Sequence, residues 1–240
     1  MDTSKRRLLL LSNSTNAGEK FLGWPEPHIH SLLGDAPMHI AFVPFAAVRL
    51  SYDEYTRLVR ERLESMGHTV TSLHETSNPI QVVEKADAIM IGGGNTFHLL
   101  TGLYDRNLLE PIRIRCLAGT PYIGWSAGSN VAGPTIRTTN DMPIVQPPSF
   151  DALNLVPFQM NPHYTNAMPK GLRAETRDDR LMEFIEVNRE VNVVGLPEGT
   201  LLHVEGDSIN YIGETSAVLF HYGTTKRELN EKDDISFLLS

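Results

Sequence analysis

The chain has 240 residues, 41% hydrophobic and 21% charged, with a formal net charge of −8. This is the composition of a globular chain with a real core, and its acidic balance favours neither nucleic acid nor an anionic membrane surface. A lone cysteine, Cys116, cannot form an internal disulfide, which fits a reducing, cytoplasmic setting.

"MDTSKRRLLLLSNS" places basic residues before four leucines, but the run stops at Ser12, Asn13 and Ser14. A signal segment needs about 7–15 apolar residues, so this is a first buried strand over 8–11 running into a polar loop. His28 and His30 in "PEPHIH" read as loop histidines, since no third ligand has matching spacing for a metal. Further strands are predicted over 39–43, 69–73, 88–91 and 122–124. Residues 51–67 read as a helix, with Tyr55, Leu58, Val59, Leu63 and Met66 on one face and Gly67 as its stop. Residues 95–119 form a second helical region, expected to break near Gly102 and at Pro111, with Cys116 as a small buried hydrophobe near its end. His98 in that region, and His68, His74 and His203 at strand edges or turns, read as structural.

Residues 134–171 are rich in Pro, Asn and Thr and read as a long, loop-dominated region, of the kind that often carries function. A helix follows over 176–188 with Thr176 as N-cap, then a buried strand in "VNVVGLP". Residues 201–213 read as a hairpin turning at Gly206 and Asp207, and "AVLFHYG" as one more strand. Continuous apolar strands separated by helices predict an α/β chain: a single domain over 1–240, with a mostly parallel central sheet covered by helices on both faces. No window approaches the roughly 20 apolar residues of a membrane span.

The chemistry concentrates in a few stretches. "YIGWSAGSN" sets Ser126 between Gly124 and Gly128 after a buried strand, the pattern of a nucleophile elbow. Such a turn leaves no room for a Cβ at the flanking positions, and it presents the serine at the carboxyl end of the sheet, ahead of a helix N-terminus. Gly-x-Ser-x-Gly also recurs by chance, so its partners decide. A serine hydroxyl needs a base, and His163 in "MNPHYTN" has the best context. A carboxylate should fix that imidazole's tautomer. Glu198, ending a buried strand in "GLPEG", is the first candidate, and Asp141 in "TTNDMP" competes. "IMIGGGNTF" is a strand followed by a glycine cradle at 92–95. It lacks both Gly-Lys-[Ser/Thr] and Gly-x-Gly-x-x-Gly, so an oxyanion-binding reading fits it better than a nucleotide one.

With these segments in hand, the sequence resembles peptidase E, the aspartyl dipeptidase family of serine peptidases. "LLLLSNST", "GGGNTF", "YIGWSAGSN", "PTIRTTNDMPIV", "FDALNL", "NPHYTNA", "ETRDDR" and "GLPEG" follow that family's order from Leu8 to Gly199. Ser129 departs from it, where alanine is common. The resemblance implies a class I glutamine-amidotransferase-like fold and a triad of Ser126, His163 and Glu198. The order Ser, His, Glu along the chain also differs from the Ser, Asp/Glu, His of α/β-hydrolases. An oxyanion hole would use the Ala127 N–H with Gly93 or Gly94.

Dipeptides with N-terminal aspartate are the implied substrates. Arg137 and Arg177 are candidate clamps for the side-chain carboxylate, and Asp141 is a further candidate binding residue. No metal or other cofactor is implied, nor a nucleic-acid or membrane partner, and the chain would act as a monomer or homodimer in the cytoplasm. Alternatives are hydrolysis of β-aspartyl or cyanophycin-like bonds, or a non-catalytic anion-binding module. An amidotransferase is disfavoured, because serine stands where that chemistry uses cysteine. A histidine base implies activity rising with pH through the ordinary histidine range, about 6–7.

Overall fold

The structure, a computed structural model, describes residues 3–167 and 175–240. In chain order the first elements are β1 (Arg7–Leu11), α1 (Glu26–Leu33), β2 (His39–Val43), α2 (Tyr52–Glu64), β3 (Thr69–Ser72), α3 (Pro79–Lys85) and β4 (Ala88–Ile91). There follow α4 (Thr96–Asp105), α5 (Leu109–Leu117), β5 (Tyr122–Trp125), α6 (Ala127–Asn130), β6 (Gln159–Pro162) and α7 (Arg177–Val187). The chain closes with β7 (Val193–Leu196), β8 (Leu201–Glu205), β9 (Ser208–Ile212), β10 (Ala217–Phe220), β11 (Arg227–Leu229) and a 3₁₀ turn at Ser236–Leu239.

Seven strands form the central sheet in the order β3-β2-β4-β5-β1-β8-β9. The first five are parallel, and the β8–β9 hairpin adds two antiparallel strands beyond β1. Successive side chains of a strand point to opposite faces, and the four leucines of β1 divide accordingly. Leu9 and Leu11 join Leu32, Leu33, Val59 and Leu63 from α1 and α2. Leu8 and Leu10 join Val83, Leu99, Leu103 and Ile112 from α3, α4 and α5. All four leucines are essentially inaccessible to water, which is why the run reads as continuous rather than alternating. No helix among the described residues is long and apolar enough to cross a membrane.

A second sheet, β11-β10-β7-β6, lies beyond the central one. Strands β6 and β7 are parallel, and β10 and β11 add antiparallel. Met160, Val194 and Leu196 share a core with Leu8 and Leu10, so this sheet packs on the face opposite α1 and α2. Its other face holds Tyr164, Val193 and Phe220 against Leu181 and Ile185 of α7. Strand β6 arises inside the stretch expected to be mostly loop, and the last 30 residues complete this sheet and the packing on β9.

Other expectations need correction. The helical region at 95–119 breaks at neither Gly102 nor Pro111. It breaks at Arg106, Asn107 and Leu108, where Asn107 takes a left-handed backbone (φ 53). Gly102 sits inside α4, where a Cβ would press to 2.9 Å on Phe45 Cβ. Pro111 occupies the first turn of α5, where no intrahelical N–H bond is forfeited. His28 and His30 lie on helix α1, not in a loop, and His203 lies within β8.

Helix α7 starts where expected. The Thr176 hydroxyl accepts from the Asp179 N–H, and the Asp179 carboxylate accepts from the Thr176 N–H, a reciprocal cap. Thr176→Ala is expected to cost about 1 kcal/mol, a fall of about 2–4 °C in melting temperature measured by circular dichroism.

Candidate active site

Strand β5 delivers Ser126 into a backbone conformation (φ 53, ψ −112) that residues with a side chain rarely adopt. Two neighbours force it there. A Cβ at Gly124 would stand 2.5 Å from the Gly128 carbonyl oxygen, and one at Gly128 would overlap the Ile91 carbonyl. The turn is thus wedged between its own helix and β4. Inside the turn, the buried Ser129 hydroxyl lies 2.6 Å from Leu11 O and 2.8 Å from Gly124 O. Trp125 points the other way, into the core, and stacks on Phe42. Its indole N–H donates to Tyr55 Oη (2.8 Å), and the Tyr55 hydroxyl donates to Gly93 O (3.1 Å). The serine turn and the glycine cradle are therefore tied through one phenol.

His163 follows the last residue of β6 and is also left-handed (φ 56). Its N–H donates to Ser12 Oγ at 2.9 Å, and Ser12 Oγ–H donates to Leu196 O, the end of β7, at 2.8 Å. Next along, Asn13 Oδ1 accepts from the Gly199 N–H at 2.8 Å, pinning the turn that carries Glu198. The polar residues after β1 thus place both partners of the serine. Sequence reasoning assigned Ser12 and Asn13 only to a loop. Their signal was two polar residues directly after four buried leucines, at the carboxyl edge of the sheet.

The outcome is a bridge. His163 Nε2 lies 2.8 Å from Ser126 Oγ, and Nδ1 lies 2.8 Å from Glu198 Oε1. A carboxylate only accepts, so the ring proton sits on Nδ1 and the Nε2 lone pair faces the hydroxyl. The imidazole and the carboxylate are part-exposed, at 41% and 64% of their side-chain surface. The serine comes from the central sheet and the other two from the ends of β6 and β7, so the three converge across two sheets and not along one edge.

Asp141 does not contact the imidazole. Its Oδ2 accepts from Thr96 N–H (2.7 Å) and Thr96 Oγ1 (2.6 Å) at the start of α4, with Thr139 Oγ1 at 3.2 Å. Ser126, His163 and Asp141 nonetheless line the same narrow cavity of about 20 Å³. Gly93 lies against the serine, since a Cβ there would reach 3.0 Å from Ser126 Cβ. Among the described residues, the N–H groups of Gly93, Gly94 and Ala127 have no hydrogen-bond acceptor.

Of the two candidate arginines, Arg137 lies outside this cavity, with its guanidinium over the Phe184 ring and Nε bonded to Thr135 Oγ1. Arg177 opens α7 and is half-buried, with no ion pair or hydrogen bond among the described residues. Burial, and then Arg180, pull its pKa below the ordinary arginine value. Its neighbour Asp178 accepts from the hydroxyl of Tyr164, the residue after His163. His98 is structural, its Nδ1 2.5 Å from Phe45 O. Cys116 is fully buried, and burial pushes its thiol pKa far up.

Residues 8–212 match the sequence profile of peptidase family S51. The chain is 49% identical to a peptidase E of Nostoc sp. over 234 residues, 98% of this chain and 97% of that one. It is 47% identical to a peptidase E of Pasteurella multocida over 216 residues, 90% and 92% of the two chains. A crystal structure of a peptidase from an acI-B1 Actinobacterium superposes with a TM-score of 0.71 at 19% identity, covering 99% of each chain, and so shares the fold. Fold and matches together define an α/β peptidase. The chain belongs to peptidase family S51.

Removing the Ser12 hydroxyl strips the acceptor from the His163 N–H and leaves Leu196 O with the Tyr164 N–H as its donor. Ser12→Ala is expected to lower kcat for peptide hydrolysis by up to about 10²-fold through misplacement of the imidazole. KM should change little; steady-state kinetics on a folded variant checks this.

Proposed function

We propose that this protein is a serine-type dipeptidase that removes an N-terminal aspartate through an acyl-enzyme, with Ser126, His163 and Glu198 as its triad. The observation that carries the reading is the imidazole held 2.8 Å from both the Ser126 hydroxyl and the Glu198 carboxylate. Ser126 Oγ attacks the carbonyl carbon of the first residue while His163 Nε2 takes the hydroxyl proton. Glu198 holds the ring in the tautomer that leaves Nε2 free and stabilises the imidazolium. The carbonyl oxygen, now negative, is met by the unpaired N–H of Ala127 and one of Gly93 or Gly94. His163 then gives its proton to the departing amine. The ester formed on Ser126 is hydrolysed by a water that His163 deprotonates in turn, restoring the hydroxyl.

Arg177 is the better-supported partner for the substrate's side-chain carboxylate. A half-buried guanidinium without a counter-ion among the described residues gains on meeting an anion, and its helix is tied to the residue beside His163 through the Tyr164–Asp178 bond. Arg137 is already engaged with Phe184 and Thr135. A single, fully buried cysteine agrees with action in a reducing cytoplasm.

Ser126→Ala is expected to lower kcat on Asp-Leu by about 10⁶-fold with the circular dichroism spectrum unchanged. Near-normal turnover by that variant would remove this mechanism. Replacing the substrate with Asn-Leu removes the charge that Arg177 would meet. It should cost about 10–100-fold in kcat/KM, and equal efficiency would rule out the cationic clamp.

A further inference from the structure

The three glycines of the cradle at 92–94 each make room for a different neighbour. A Cβ at Gly92 would stand 2.7 Å from Tyr55 Oη, and one at Gly93 would stand 2.9 Å from Trp125 Cδ1. At Gly94 it would overlap the Ala46 carbonyl oxygen, at 2.2 Å. Two of these neighbours belong to the hydrogen-bond chain that runs from the indole through the phenol to Gly93 O. The backbone comes as close to that chain as a residue without a side chain allows.

The chain of bonds has a fixed direction. The Trp125 indole N–H can only donate, so it meets a lone pair of Tyr55 Oη and leaves the hydroxyl proton for Gly93 O. Tyr55 is 6% exposed, and burial pushes its pKa far above the ordinary tyrosine value, so the proton stays in place. The peptide unit from Gly93 to Gly94 is planar and trans, so its C=O and its N–H point in opposite directions. Holding Gly93 O on the phenol therefore turns the Gly94 N–H away from the phenol. The next unit is anchored as well, since Ala46 O accepts from the Asn95 N–H at 2.8 Å. Between these two anchors the exposed Gly94 keeps its N–H free. A proton accepted at the oxygen also polarises the amide and makes its N–H the stronger donor. The Gly93 N–H belongs to the preceding peptide unit, which the phenol does not hold.

We propose that Tyr55 is a positioning residue: by holding Gly93 O, its hydroxyl presents the Gly94 N–H, and not that of Gly93, as the partner of the Ala127 N–H in meeting the oxyanion. The inference rests on the acyl-transfer reading above and deepens it by choosing between the two glycines. Tyr55 acts through the peptide and not on the substrate. Its effect grows as negative charge develops on the carbonyl oxygen, so it belongs in kcat and not in ground-state binding.

Tyr55→Phe keeps the ring that meets Phe42 and Trp125 edge-on and removes one oxygen. It is expected to lower kcat on Asp-Leu by about 10–100-fold, below the ~10²–10³ that losing a donor outright costs. KM and the pH profile set by the imidazole should not move. The donor itself is read by amide NMR with the boronic acid analogue of aspartate, whose boron bonds Ser126 Oγ and carries an oxygen where the oxyanion would form. In the wild type the Ala127 and Gly94 amide protons are expected to move downfield, with Gly93 unmoved. In Tyr55→Phe the Gly94 shift should vanish while the Ala127 shift remains, a selectivity that general loosening of the core would not give. A shift at Gly93 in place of Gly94 overturns the proposal. So does a Gly94 shift that survives in Tyr55→Phe, or an unaltered kcat in that variant. Should Tyr55→Phe not fold, a ring-fluorinated tyrosine at position 55 keeps the hydroxyl and makes it the stronger donor. The Gly94 proton should then move further downfield on binding the boronate, and an unchanged signal overturns the proposal. Failure of the parent reading looks different: Ser126→Ala would still turn over Asp-Leu, and the boronate would leave Ala127 unmoved too.

Discussion

The Ser12 hydroxyl joins the two sheets at the point where the chemistry is assembled. Its backbone N–H bonds to Thr200 O beside the central sheet, while its Oγ binds the His163 N–H and the Leu196 carbonyl at the ends of β6 and β7. A peptide N–H and a carbonyl at the end of a sheet must find partners if buried. Here one side chain from the neighbouring sheet gives the N–H its acceptor and adds a second donor to a carbonyl that also accepts from the Tyr164 N–H, which sets the spacing between the layers at this point. That spacing in turn puts His163 Nε2 at bonding distance from Ser126. The leucines of β1 supply the burial that holds Ser12 in place, so the hydrophobic run and the polar pair after it act as one device.

The site combines rigidity below with openness above. Beneath the serine lie Trp125, Tyr55 and the close-packed turn at 124–128. The imidazole and carboxylate, by contrast, keep much of their surface in water. Such solvent access weakens the electrostatic value of a charge pair, so the Glu198 contact matters more for holding the ring than for raw stabilisation. A small cavity lies on the serine's other side, lined by Asn130, Asn140 and Asp141.

The sequence was most legible where local chemistry and tertiary demand coincide. Five parallel strands were visible as apolar runs. The elbow was visible because glycine is the residue that fits both Gly124 and Gly128, and Glu198 because it ends a buried strand. Less legible was anything set by partners distant in sequence. Strand β6 reads "QMNP", polar and ending in proline, because its neighbours are β7 and buried side-chain amides, with no apolar layer on both sides. Helices α1 and α3 each begin at or beside a proline and are short, so their periodicity is faint. Gly102 looked like a breaker, yet it is glycine because Phe45 lies against it. That serine and histidine should meet was inferred from chemistry. That they meet across two layers depends on Ser12 and Asn13, whose importance appears only once the layers are stacked.

Housing Ser126 and His163 in separate layers has a cost in robustness. Sliding one layer past the other by an ångström would leave each strand and helix intact while disturbing the core the layers share and parting the hydroxyl from its imidazole. In this molecule, the bond between Ser126 and His163 depends on two slabs keeping register.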